Sequence, residues 1–168
     1  MKKSKSKFFN FAKKYPLFKN FYYFYNIYIR NYKFLNNGSQ FGEEKFILSF
    51  FDKGYKGKFV DIGCFHPTRH NNTYEMYKSG WYGINIDLNP LTIDLFNFAR
   101  KKDININAAI SNNEENKTLY FVDELNILNS IDFLKYKIKF ICIEMIDHND
   151  QAKLINEKLN AILTRNGY

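Results

Sequence analysis

The chain has 168 residues, with 25 Lys or Arg against 17 Asp or Glu and a formal charge of +8. The length suits one domain with an N-terminal extension and room for a sizeable core. Nine basic residues and no acidic ones fall in residues 1–42, so the remainder is nearly neutral and does not read as a nucleic-acid surface. The two cysteines, Cys64 and Cys142, lie in or beside apolar runs and read as buried free thiols; no zinc-ligand spacing is present.

Residues 1–41 form a basic, aromatic extension that reads as helical, with Phe21–Ile29 apolar for only nine residues between Lys19 and Arg30. A membrane crossing needs about 20 such residues. The pattern suits a helix that packs on the body, lies against an anionic membrane surface or meets a protein partner. A cytoplasmic location, with contact at the membrane periphery through this extension, is the expectation. Asn36–Ser39 reads as a turn.

Residues 42–168 then alternate helical and strand-like runs. Gly42–Phe51 is expected to be a helix with Glu43 and Glu44 in its first turn. Phe59–Ile62 reads as the first strand, Thr73–Ser79 as a short helix closed by Gly80, and Trp81–Ile86 as the second strand. Pro90 opens a helix expected to run to Lys102, with Arg100, Lys101 and Lys102 in its last turn. Ile104–Ile110 reads as the third strand, Thr118–Val122 as a fourth, Glu124–Leu134 as weakly helical, and Phe140–Met145 as a buried strand containing Glu144. Gln151–Thr164 reads as an amphipathic helix ending near Gly167. Such alternation implies an α/β sheet with both faces covered.

The stretch Gly57–Pro90 carries the chemistry. A strand ends in Asp61 and Gly63, a helix follows, and a second strand ends in Asp87. Glycine permits a sharp turn and a close approach to a ligand, while an acid at the next strand end suits the ribose hydroxyls of an adenosine. The bland alternatives are a structural turn at Gly63 and a helix cap at Asp87, although Asn89 is better placed to cap the Pro90 helix. His66, Arg69 and His70 follow Gly63 and suit an anionic substrate or a proton acceptor, or simply a solvated loop. His148 follows the last strand-like run, beside Asp147 and Asp150; a metal site there has no second ligand cluster to support it. Neither a phosphate-binding glycine loop, nor a nucleophile elbow, nor a zinc-protease helix occurs.

FVDIGCFHP at 59–67 and NNTYEMYKSGWYGINIDLNP at 71–90 resemble the FkbM-type family of S-adenosylmethionine-dependent methyltransferases. GEEKFIL at 42–48, ARKKDININAAIS at 99–111, FICIEM at 140–145 and the closing NGY add weaker likeness. The resemblance implies a Rossmann-like methyltransferase sheet with helices on both faces, S-adenosylmethionine as cofactor, and methyl transfer to an oxygen of a sugar or small metabolite. It implies that Asp61, Gly63, Asn72, Thr73, Asp87, Ala109 and Ser111 line the cofactor site. His66, Arg69, His70 and His148 are the expected acceptor-facing residues. The family's strand ending in a DxEG-like motif is missing between Val122 and Glu124, and closing strands are missing after Tyr168. The expected sheet therefore lacks a central strand segment and its C-terminal strands. An exposed sheet edge and pairing of two copies follow from that expectation. A catalytically inactive relative, or an NAD- or nucleotide-sugar-binding protein using Asp87, remain the alternatives.

Overall fold

The computed structural model describes residues 15–30, 37–108, 124–136, 138–143 and 150–168. The chain divides into two compact units, Met1–Ala108 and Ala109–Tyr168. The expected strand Thr118–Val122 lies outside the described residues, as do Glu144 and Met145.

The first unit is built on a three-stranded parallel sheet in the order β1 (Lys58–Ile62), β2 (Tyr82–Asp87) and β3 (Ile104–Asn107). The register aligns Val60 with Ile84 and Ile84 with Ile104; it aligns Asp61 with Asn85 and Asn85 with Asn105. Side chains alternate across a strand, so Val60, Ile84 and Ile104 share one face and Asp61, Asn85 and Asn105 the other. Among its described residues the α-helices are α1 (Pro16–Phe24), α2 (Glu43–Ser49), α3 (Tyr74–Lys78) and α4 (Pro90–Ala99).

Helix α4 packs along β2 and β3 on the polar face, where Asn105 Nδ2 donates to Asn97 Oδ1 at 3.0 Å. It starts as the sequence suggests: Pro90 occupies the first turn and the Asn89 side chain accepts from Leu91 N at 3.0 Å. It ends at Ala99, earlier than the expected Lys102. Arg100 leaves helical geometry (φ −119°, ψ 68°) and turns its side chain into the protein, where it is 1% exposed. Cys64, Ile93 and Phe96 form one apolar cluster beneath the β1–α3 loop.

Helix α1 belongs to this unit. Tyr23 and Ile27 are buried with Leu95, and the Tyr23 hydroxyl donates to Asp94 Oδ2 at 2.8 Å. After Phe24 the chain continues as a π-helical segment, Tyr25–Ile29, with Arg30 N donating five residues back to Tyr25 O. Asn26 Nδ2 donates to Tyr22 O at 2.8 Å. The wider winding leaves carbonyls to be satisfied, and a side-chain amide meets one of them. Leu17 and Phe21 on the outward face are strongly exposed. Among the described residues no helix is long and apolar enough to cross a membrane.

The second unit pairs α5 (Glu124–Ser130) with α6 (Asp150–Arg165), burying Leu128 and Leu159. Helix α5 ends four residues before the expected Leu134, at a turn in which Asp132 Oδ1 accepts from Leu134 N and Lys135 N. Residues 140–143 are irregular rather than a strand, and Cys142 is exposed, unlike buried Cys64. An apolar run does not by itself distinguish a strand from a packed irregular segment; pairing decides it. Tyr168 closes the unit, with its hydroxyl donating to Ile138 O at 2.6 Å and its ring against Phe133.

Candidate functional site at the strand ends

Asp61 and Asp87 stand at the carboxyl ends of adjacent parallel strands, the usual ligand side of an open α/β sheet. The chain leaves β1 through Gly63, at φ +75°, where an added Cβ would meet nothing within 4 Å. A left-handed turn with open space over it is what a glycine at a ligand-approach position provides. Gly63 N donates to Ile86 O at 2.9 Å, tying this turn to β2.

Asp87 organises the loop beyond. Its Oδ2 accepts from Phe65 N at 3.0 Å and its Oδ1 from Asn89 N at 2.7 Å. Each oxygen retains acceptor capacity after one such bond, so the solvent side of the carboxylate can still receive a pair of hydroxyls. Phe65 and His70 have positive φ values of 54° and 45°. Two non-glycine residues in the left-handed region within one loop are costly and persist only where surroundings enforce them. Thr92 Oγ1 donates to Phe65 O at 3.0 Å, Gly38 N donates to Thr68 O at 2.7 Å, and Asn71 N donates to Gly38 O at 3.0 Å.

Arg100 enforces the loop from within. Its Nε donates to Pro67 O at 2.9 Å, Nη2 to Pro67 O at 2.6 Å and Asn71 Oδ1 at 2.5 Å, and Nη1 to Thr73 Oγ1 at 2.8 Å. Asp103 Oδ2 lies 3.8 Å from Nη1 and supplies the nearest opposite charge in this sealed setting. The Phe96 and Tyr77 rings flank the guanidinium. Burial lowers the Arg100 pKa, and the Asp103 and Asp61 charges oppose that shift.

The same cluster holds Asp61. Asn71 Nδ2 and Thr73 Oγ1 donate to its Oδ2 at 3.0 and 2.9 Å. Thr73 has one hydroxyl proton, and the carboxylate is a stronger acceptor than Asn71 Oδ1, also 2.9 Å away. Burial pushes the Asp61 carboxyl above its ordinary range, against the pull of Thr73, Arg100 and Asn71. Asn72 is half-buried and is not one of the residues bonded to Asp61.

The three loop residues expected to face an acceptor differ in setting. His66 is buried, and its Nδ1 accepts from Thr68 N and Arg69 N, both at 3.2 Å. That arrangement places the ring proton on Nε2. Burial lowers its pKa to about 4, helped by the charges of Arg69, Arg100 and Arg30. His66 is consequently a neutral donor at neutral pH. Arg69 is half-buried, with its guanidinium 5.7 Å from the Phe65 ring centroid. His70 is exposed and edge-on to Phe65. Ala109, Ser111 and His148 lie outside the described residues.

No protein-family model, curated protein or solved structure matches the chain.

The residue that sequence reasoning passed over is Arg100. It appears in the sequence as the first member of an Arg-Lys-Lys run, indistinguishable from a solvated helix end. Asn71 was legible only as the first residue of the 71–90 run, although it bonds both Asp61 and Arg100.

Proposed function

We propose that the chain is an S-adenosylmethionine-dependent methyltransferase of the FkbM type that methylates an oxygen of a sugar or small metabolite. The observation that carries this reading is the pairing of the Gly63 turn with Asp87 at neighbouring parallel strand ends, joined by the Phe65 N–Asp87 hydrogen bond. The residues fit the cofactor: open space lies over Gly63, and the outer side of the Asp87 carboxylate suits two ribose hydroxyls. The three-stranded parallel sheet would be the cofactor half of a Rossmann-like methyltransferase sheet. Asp61 acts one layer behind, fixing the loop through Asn71 and Thr73. When bound, the cofactor supplies a strongly electrophilic methyl group, so the protein has chiefly to orient it.

His70, exposed in the loop, is the residue assigned to receive the acceptor's proton, because the Nδ1 of His66 is already occupied. The second reading, a binding protein without catalysis, is favoured by His66, whose Nδ1 already accepts two backbone N–H groups and is not poised as a base.

Calorimetric titration of the full chain with S-adenosylmethionine, beside Asp87→Ala, tests the proposal. Micromolar binding lost in the variant supports the cofactor site. A folded protein that binds neither S-adenosylmethionine nor its demethylated product overturns it. Binding without turnover across an acceptor screen favours the second reading.

A further inference from the structure

A cleft of about 200 Å³ opens beside the strand-end site without including Asp61, Gly63 or Asp87 in its walls. Leu91 and Leu95 of α4 line it, with Asn26 and Arg30 from the π-helical segment and its end, and His66 and Arg69 from the β1–α3 loop. No Asp or Glu lines it.

The polar groups are biased toward donation. Arg69 Nε is buried and has no hydrogen-bond acceptor among the described residues. Neither Arg30 nor Arg69 forms an ion pair with a described residue; Arg30 Nη1 donates to Asn26 Oδ1 at 3.2 Å. The π-helical winding sets this arrangement, because Asn26 spends its amide on Tyr22 O and turns its oxygen to Arg30. Local π-helical segments recur at functional sites. His66 adds a neutral donor, since backbone N–H groups occupy its Nδ1. Asn89 and Thr92, at the start of ten-residue α4, also line the cleft and bring the positive end of that helix to it.

Burying a guanidinium nitrogen without an acceptor is costly, and an oxyanion would remove the cost. Two guanidinium groups match a dianion in charge, and their planar donor forks match phosphate oxygens better than ammonium groups would. We propose that this cleft binds the phosphate of a phosphomonoester through Arg30 and Arg69, with the organic body of the ligand against Leu91 and Leu95. This site does not depend on the methyl-transfer reading. The phosphate can belong to a soluble metabolite or to a lipid headgroup, the latter because exposed Leu17 and Phe21 lie on α1, which also supplies the cleft's Tyr22.

The test is phosphorus NMR and calorimetric titration of the full chain with inorganic phosphate at constant ionic strength. It is run beside Arg69→Gln, Arg30→Gln and, as a charge control away from the cleft, Lys101→Gln. Thermal melts without phosphate establish that each variant is folded; Arg69→Lys keeps the charge and loses the fork if Arg69→Gln unfolds. Saturable binding that weakens roughly ten-fold or more in either arginine variant, and stays unchanged in Lys101→Gln, is expected. No saturable binding, or equal weakening in all three variants, overturns the proposal. Sedimentation with phosphatidylcholine vesicles, with and without phosphatidic acid, identifies the source. Phosphatidic acid-dependent capture that Arg69→Gln abolishes assigns the phosphate to a lipid. Phosphate binding without capture assigns it to a soluble ligand. Failure of S-adenosylmethionine binding leaves these readouts unaffected.

Discussion

Arg100 Nη1 donates to Thr73 Oγ1 at 2.8 Å, and through that hydroxyl a residue just beyond α4 fixes the carboxylate at the end of β1. The guanidinium is 1% exposed and satisfies carbonyl, amide and hydroxyl oxygens of one loop. Replacing it leaves the Pro67 carbonyl without its buried donor and removes the cation beside Asp103, whose carboxylate keeps only its bonds from Gly83 N and Asn85 Nδ2. Arg100→Met is expected to destabilise the first unit by about 3 kcal/mol, read as a lower urea midpoint. A change below about 1 kcal/mol would show that the loop holds itself without the arginine.

His66 gives the protein a pH-dependent stability of definite sign. Its folded pKa of about 4 lies below the ordinary 6.5, so the unfolded chain binds the proton first as pH falls. The contribution is fully present above about pH 6.5, declines between 6.5 and 4, and is gone below 4. Its size is about 3 kcal/mol across that window. Arg69, Arg100, Arg30 and His70 are the charged or titratable groups acting on it. Denaturant unfolding at stepped pH should show a shallower decline in His66→Asn, whose amide oxygen can replace Nδ1 as acceptor. Equal declines in both proteins would remove His66 as the cause.

Gly38 and Gly63 differ in what an added side chain would meet. Gly38, at φ +96°, lies so close to Glu44 that an added Cβ would fall 2.5 Å from Oε1, whereas Gly63 has open space. Gly38→Ala is expected to destabilise by about 2 kcal/mol or more, from strain plus the clash with buried Glu44. Gly63→Ala carries the strain alone, about 1 kcal/mol, and should weaken S-adenosylmethionine binding far more than stability. Calorimetry and urea unfolding on the same samples read both quantities. Unchanged cofactor affinity in a folded Gly63→Ala variant would place the ligand elsewhere.

The docking of α1 rests partly on one hydroxyl. Burial and the Asp94 hydrogen bond both raise the Tyr23 pKa, so the phenol stays protonated and donating. Tyr23→Phe should cost about 1 kcal/mol and increase amide exchange in residues 16–24, leaving the β1–β2 pairing protected.

The β1–α3–β2–α4–β3 order was legible because each segment carries a local signal. Phe59–Ile62 is a short apolar run ending at a glycine, and Asn89-Pro90 announces the next helix. The strand-end placement of Gly63 and Asp87 follows from that order alone. Arg100 was not legible, because its inward turn depends on acceptors from Pro67, Asn71 and Thr73 that only the folded loop assembles. The π-helical winding at Tyr25–Ile29 was equally hidden, since an aromatic run has the same composition in either helix type. Residues 140–143 show the converse error: an apolar run without a pairing partner among the described residues does not become a strand.

The spatial order β1–β2–β3 is also the order of synthesis. Each strand emerging from the ribosome finds its neighbour already made, so the sheet can grow by addition to one edge without waiting for a later strand to be inserted. Arg100, translated after the loop it fastens and before β3, would lock the first crossover while β3 is still being added. A nascent chain stalled with Ala108 just clear of the ribosomal exit tunnel should therefore already protect Asn85 and Phe96 from solvent, making assembly of this unit a vectorial process coupled to translation.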